Sequence, residues 1–171
     1  VISTLLALAP WLAFSFLMAT IVVGPVVGVW LADRPRITAV LLAAGLIAVL
    51  AVTLYPDGDP YPTITCSAGL PYLAPTAVES TANILLFVPI TLLAGVLWRR
   101  PGMAILGGTA LSIVIEVVQA VVLVIGRACD TSDWITNTIG AVIGGVLAAV
   151  ALGWRRRRRR RRRSRGPRLS S

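Results

Sequence analysis

Five stretches of the chain are apolar for about the length of a membrane-spanning helix and are broken only by short polar connections: Ser3–Leu31, Ile37–Leu54, Thr76–Trp98, Met103–Ile125 and Trp134–Trp154. An α-helix rises about 1.5 Å per residue, so about 20 apolar residues cross a hydrocarbon core roughly 30 Å thick. The first stretch carries Pro10 and Pro25, which place its span between them or kink it. It is too long, and lacks the positively charged start, to read as a cleaved leader. The third opens on Thr76-x-x-Glu79, a capping-box pattern, and carries Pro89 inside. The pattern predicts an all-α, polytopic helical membrane protein of about five transmembrane helices.

The connections set a topology. Asp33-Arg34-Pro35-Arg36, Arg99-Arg100-Pro101-Gly102 and the run from Arg155 are alternate connections, so all three lie on one side. The bias of arginine towards the cytoplasm puts that side inside, with the N-terminus outside and the C-terminus in the cytoplasm. Residues 1–154 form the transmembrane domain, with 76–154 bearing its motifs; 155–171 is an arginine-rich cytoplasmic tail, expected without regular structure. The segment Tyr55–Pro75 faces outward, and its five prolines predict an irregular cap.

Composition sharpens the picture. Charged residues make up 13% of the chain, about half of what a soluble domain carries. Eleven of the sixteen arginines lie in the tail, so the high isoelectric point belongs to the tail and not to the body. Histidine and lysine are absent and cysteine occurs twice, which excludes Ser-His-Asp and Cys-His catalysis, Schiff-base lysine chemistry and a His/Cys zinc site. No metal site and no cofactor are expected.

The polar residues inside the apolar stretches are then the candidate chemistry. Glu116 is placed about ten residues from the outer end of its helix, roughly 15 Å deep and near the bilayer midplane, where capping is excluded. A carboxylate there costs on the order of 3 kcal/mol without a partner. Gln119 shares its face, and the stripe continues to Leu123 and Arg127. Taken singly, Arg127, Asp130 and Asp133 are what helix ends favour. In the last helix Asp133, Asn137, Gly140 and Gly144 lie on one face, the glycines allowing close approach of another helix. Asn83 sits at a similar depth to Asn137, and Pro89 frees a carbonyl at Leu85. Together Asn83, Arg127, Asp130, Asp133 and Asn137, floored by Glu116 and Gln119, predict a polar cleft facing the outer leaflet. Packing of Asn83 near Asn137 is part of that expectation. Both cysteines fall in outward segments, so a Cys66–Cys129 disulfide is a candidate, with free thiols the alternative. The run Arg155–Arg163 has no interleaved aromatic residue, which favours anionic lipid head groups over nucleic acid.

The motif Asn83-Ile-Leu-Leu-Phe87-Val-Pro89, then Glu116-x-x-Gln119, Arg127, Asp130, Asp133, Asn137 and Gly140, resembles the VanZ-like family of bacterial membrane proteins. The resemblance covers about Asn83–Gly145; the first two helices carry no motif. It implies a multi-pass protein of the bacterial plasma membrane, in a family named after a protein associated with low-level teicoplanin resistance. Two functions remain open. One is a non-enzymatic envelope protein whose cleft binds an amphiphile, such as a lipid-linked precursor or a lipid-tailed glycopeptide. The other is an intramembrane enzyme on a lipid-linked substrate, with Glu116 or Asp133 as general base, Arg127 stabilising negative charge, and carboxylates able to hold Mg²⁺. No nucleophile is identifiable, which ranks the enzyme second; a proton-coupled transporter ranks third. Membrane lipids and a second copy of the chain are the other partners considered.

Overall fold

The computed structural model describes residues 11–56, 63, 64, 66–74, 77–123 and 128–164, the last three without their side chains. Five helices, α1 (Trp11–Leu31), α2 (Pro35–Thr53), α3 (Val78–Trp98), α4 (Pro101–Val121) and α5 (Thr131–Ser164), are each long and apolar enough to cross a membrane. They alternate in direction. The turns α1–α2 and α3–α4 and the arginine run of α5 therefore share one end, the arginine end. The segments joining α2 to α3 and α4 to α5 share the other.

Both turns at the arginine end are built from an Arg-Pro pair. Proline at the first helical position has no N–H to leave unpaired, so Pro35 and Pro101 start α2 and α4. The residue before proline is driven out of the helical region, and Arg34 (φ −130°, ψ 66°) and Arg100 (φ −134°, ψ 76°) lie outside it. Arg99 closes α3 in the left-handed region at φ 56°, a conformation that costs a non-glycine residue on the order of 1 kcal/mol.

Helix α3 is the hub and packs against all four others. Its Ile84, Val88, Leu92 and Val96, spaced by four, meet α1 and α5; its Phe87, Ile90 and Ala94 meet α2 and α4. Gly140 and Gly144 of α5 lie directly on the α3 backbone around Pro89. A Cβ at Gly140 would strike the Ile84 carbonyl, and one at Gly144 would strike the Val88 carbonyl and the Thr91 hydroxyl. The glycine face thus has a definite partner, the backbone of the proline-bearing turn. By contrast α2 touches chiefly α3 and leaves most of its surface to lipid.

All five tryptophans are exposed and mark two levels. Trp30, Trp98 and Trp154 stand at the arginine end, Trp11 and Trp134 at the other. Trp11 to Trp30 is about 28 Å of helix and Trp134 to Trp154 about 30 Å, the thickness of the hydrocarbon core. Tryptophan prefers the membrane–water boundary, so these two belts position the bilayer on the bundle.

Several expectations need correction. Helix α3 opens at Val78 with Ala77 at its N-cap and no capping side chain, so the Thr76 capping box does not form the start; Thr76 itself lies outside the described residues. Helix α4 ends at Val121, not at Ile125. The run Val121-Val122-Leu123-Val124-Ile125 is as apolar as a membrane span but rich in β-branched residues, which favour helix less. The arginine tail, expected irregular, continues α5 as helix to Ser164. Cations near a helix C-terminus are favoured by the macrodipole. In addition, Asp33 accepts hydrogen bonds from Arg155 (Nε, 2.9 Å) and Arg159 (Nη2, 3.0 Å), one turn apart on the same face.

Candidate functional site

At the end opposite the arginines, the segments that join α2 to α3 and α4 to α5 are fastened together. Cys66 and Cys129 form a disulfide with Cα atoms 4.6 Å apart. Around it, β1 (Cys66–Ser67) pairs in parallel with β2 (Cys129–Asp130). The Ser67 hydroxyl donates to Asp130 Oδ2 at 2.7 Å. Thr131 accepts from the Gly69 N–H and donates to the Gly69 carbonyl, both at 2.9 Å. Apart from β1, the described residues of the 55–75 segment form no helix or strand.

Asp130 is the N-cap of α5: its Oδ1 accepts the N–H of Ser132 at 2.7 Å, satisfying one of the donors a helix start leaves open. Its own N–H donates to Glu116 Oε2 at 2.8 Å. Glu116 therefore lies five residues from the end of α4 and holds the start of α5, a role the midplane placement had excluded. The stripe does not run on to Leu123 and Arg127, because α4 stops first. Gln119, buried, donates from Nε2 to the carbonyl of Thr53 at 2.8 Å, closing the C-terminal end of α2. The pair expected to floor a cleft instead clamps two different helix ends. That placement suits the chemistry, since a carboxylate accepts from a helix N-terminus and an amide N–H donates to a helix C-terminus.

Deeper between the helices runs a polar seam. Asn83 donates to Asp133 Oδ1 at 2.7 Å, so its partner is Asp133 and not Asn137. Asn137 donates to the Ser112 hydroxyl at 3.1 Å, both fully buried. The Asn137 Oδ1 and the Thr138 hydroxyl are buried without a partner among the described residues. Arg127 lies outside the described residues. The structure thus brings Asn83, Glu116, Asp130, Asp133 and Asn137 to one end, with Asn83 on Asp133, Glu116 on the capping residue Asp130 and Asn137 on Ser112, and with Gln119 turned towards α2. Among the described residues, no group of three or more His, Cys, Asp or Glu could hold a metal ion.

Ser112 was missed, although Ser112, Glu116 and Gln119 recur at helical spacing and the stripe was open to reading. Trp134, Ile113 and Val117 were missed for a better reason: they are apolar in an apolar span. Together with Ala120, Val121, Glu116 and the disulfide, they line a cavity of about 430 Å³ between α4 and α5. Its wall is almost wholly apolar, and Asp130 and Thr131 stand at its polar edge.

The family model described as VanZ/LLP1 matches residues 12–152, spanning all five helices except the arginine extension. No curated protein and no solved structure matches the chain.

Proposed function

The chain belongs to the VanZ/LLP1 family and is a multi-pass membrane protein; from that premise we propose that it acts in the bacterial plasma membrane as a non-enzymatic binder of an amphiphile. In this reading the disulfide end faces outward and the arginine end faces the cytoplasm. Two features support the orientation. Disulfides persist in the oxidising outer compartment, and the described side chains place eleven arginines at one end against four carboxylates and no arginine at the other.

The observation that carries the binding reading is the cavity under the disulfide. It is apolar, it lies at the level of the Trp134 belt, and hydroxyl and carboxylate groups border it at the membrane surface. A ligand with an acyl tail and a polar head fits such a place: the tail enters between α4 and α5, and the head meets Asp130 and Thr131 at its edge. Binding is favoured over catalysis because Glu116 Oε2 and both Asp130 oxygens are already engaged with helix ends and the cap.

Teicoplanin, which carries an acyl chain, and vancomycin, which does not, make the discriminating pair. A sensitive Gram-positive host expressing the protein is expected to lose susceptibility to teicoplanin alone, and a cavity-filling Val117→Trp at matched membrane level is expected to restore it. An equal shift for both drugs, no shift, or a shift that survives Val117→Trp counts against an acyl-binding cavity.

A further inference from the structure

The arginine end holds far more charge than the fold uses. Arg34, Arg36, Arg99, Arg100 and Arg155 to Arg161 gather there, and Asp33 is the one carboxylate among the described residues at that end. Asp33 engages Arg155 and Arg159, and Arg34 stacks on Trp30 at 3.9 Å. Arg156, Arg157, Arg158 and Arg160 are exposed and have no partner among the described residues. We propose that this end is a binding surface for the anionic head groups of phospholipids in the leaflet where it lies. This goes beyond the amphiphile cavity at the opposite end and does not depend on it.

The tryptophan belt supplies the distances. Trp154 marks the hydrocarbon boundary, so Arg155 to Arg158 rise through about 6 Å, which is the layer of lipid phosphates. Arg160 stands about 9 Å out, and an arginine side chain is long enough to lean back to that layer. Direction follows from the helix. Successive residues turn by about 100°, so with Arg155 and Arg159 held towards Asp33, Arg156, Arg157, Arg158 and Arg160 point to the other sides of α5. Arg34, Arg36, Arg99 and Arg100, all exposed, stand on the turns at the same level. The cations thus border the bundle at the depth where phosphates lie.

Energetics point the same way. Arginines four residues apart on a helix repel one another, and one shared carboxylate does not neutralise the run. Anionic head groups supply the missing countercharge, and guanidinium groups bind phosphate through paired hydrogen bonds. A nucleic acid is the other polyanion with this chemistry. It is disfavoured here because the described arginine extension carries no aromatic side chain for base stacking, and because the arginines nearest the membrane are already within the phosphate layer.

The full-length protein is placed in nanodiscs of phosphatidylcholine with or without phosphatidylglycerol. Spin-labelled versions of the two lipids then report which is immobilised at the protein surface. Selection of phosphatidylglycerol is expected, by on the order of fivefold for each arginine engaged at low salt, and it should fall as salt is raised. Replacing Arg156, Arg157, Arg158 and Arg160 together by glutamine leaves the Asp33 clasp in place and should remove most of the selection. As a second readout on the unaltered protein, trypsin should cut the arginine run more slowly in discs containing phosphatidylglycerol. Equal immobilisation of the two lipids, selection unchanged in the glutamine variant, or protection by added DNA but not by phosphatidylglycerol would each overturn the proposal.

Discussion

The two ends of the bundle handle charge in opposite ways. At the disulfide end acids and amides are spent on other parts of the chain: Glu116 on the Asp130 N–H, Asp130 on Ser67 and Ser132, Asn83 on Asp133, Gln119 on the end of α2. At the arginine end one carboxylate serves two arginines and four neighbours are left exposed. A carboxylate within the span must find a partner, because hydrocarbon leaves it nothing else to bind. An arginine beyond the boundary belt faces water and phosphate and needs none from the protein. Polar residues in the membrane therefore read first as fasteners, and unpartnered charge outside it reads as a surface for something else.

The largest effect expected from breaking this contrast is at the disulfide. Cys66 and Cys129 are 63 residues apart, and closing so long a loop is worth about 2–4 kcal/mol. The double variant Cys66→Ser, Cys129→Ser should lose about that much stability, read as thermal unfolding in detergent. Protease sensitivity should rise in residues 63–74 and stay unchanged in the arginine run. Undiminished stability would mean that the Ser67 and Thr131 hydrogen bonds hold the cap without the covalent link.

Next in size is the Glu116 clamp. A hydrogen bond to a charged group contributes about 1.5–3 kcal/mol when its loss strands a partner. Glu116→Leu strands the Asp130 N–H and should cost that amount, whereas Glu116→Gln keeps a carbonyl acceptor and should retain most of the stability. Equal damage from both would show that the charge of Glu116 matters more than its acceptor oxygen.

These two sites also show where sequence was a good guide. The five spans and the shared side of the basic turns were legible, because twenty apolar residues and an Arg-Pro pair carry their meaning locally. The depth of Glu116 was not. It depended on where α4 ends, and Val121 to Ile125 is apolar enough to continue a span in any hydropathy profile. The structure instead ends α4 at Val121, with Glu116 on the Asp130 N–H at the start of α5, a tertiary requirement. The helical arginine run was hidden for a similar reason. Local repulsion argues against helix, and the countercharge comes from Asp33, 122 residues away in sequence. Gly140 and Gly144 announced close packing, but their partner around Pro89 appears only once α3 and α5 are in contact.

The smallest effect belongs to Asp33 and tests whether the arginine end is tuned for stability at all. The Arg155 hydrogen bond holds the Asp33 carboxyl below its ordinary value of 3.8, with burial opposing the shift and the charges of Arg155 and Arg159 adding to it. A carboxyl whose pKa is lowered by folding contributes stability above its unfolded value, near pH 4, and loses that contribution as pH falls through the lower folded value. The side chain is half exposed, and pairs of that kind are worth at most about 1 kcal/mol. Asp33→Asn should therefore lower thermal stability slightly at pH 7 and not at pH 2–3, with the difference shrinking in high salt. A large loss at pH 7 would place the clasp among the fasteners of the fold and erase the contrast with the disulfide end. A small one leaves Asp33 as the residue that orients the arginine helix while its remaining cations stay available to the leaflet.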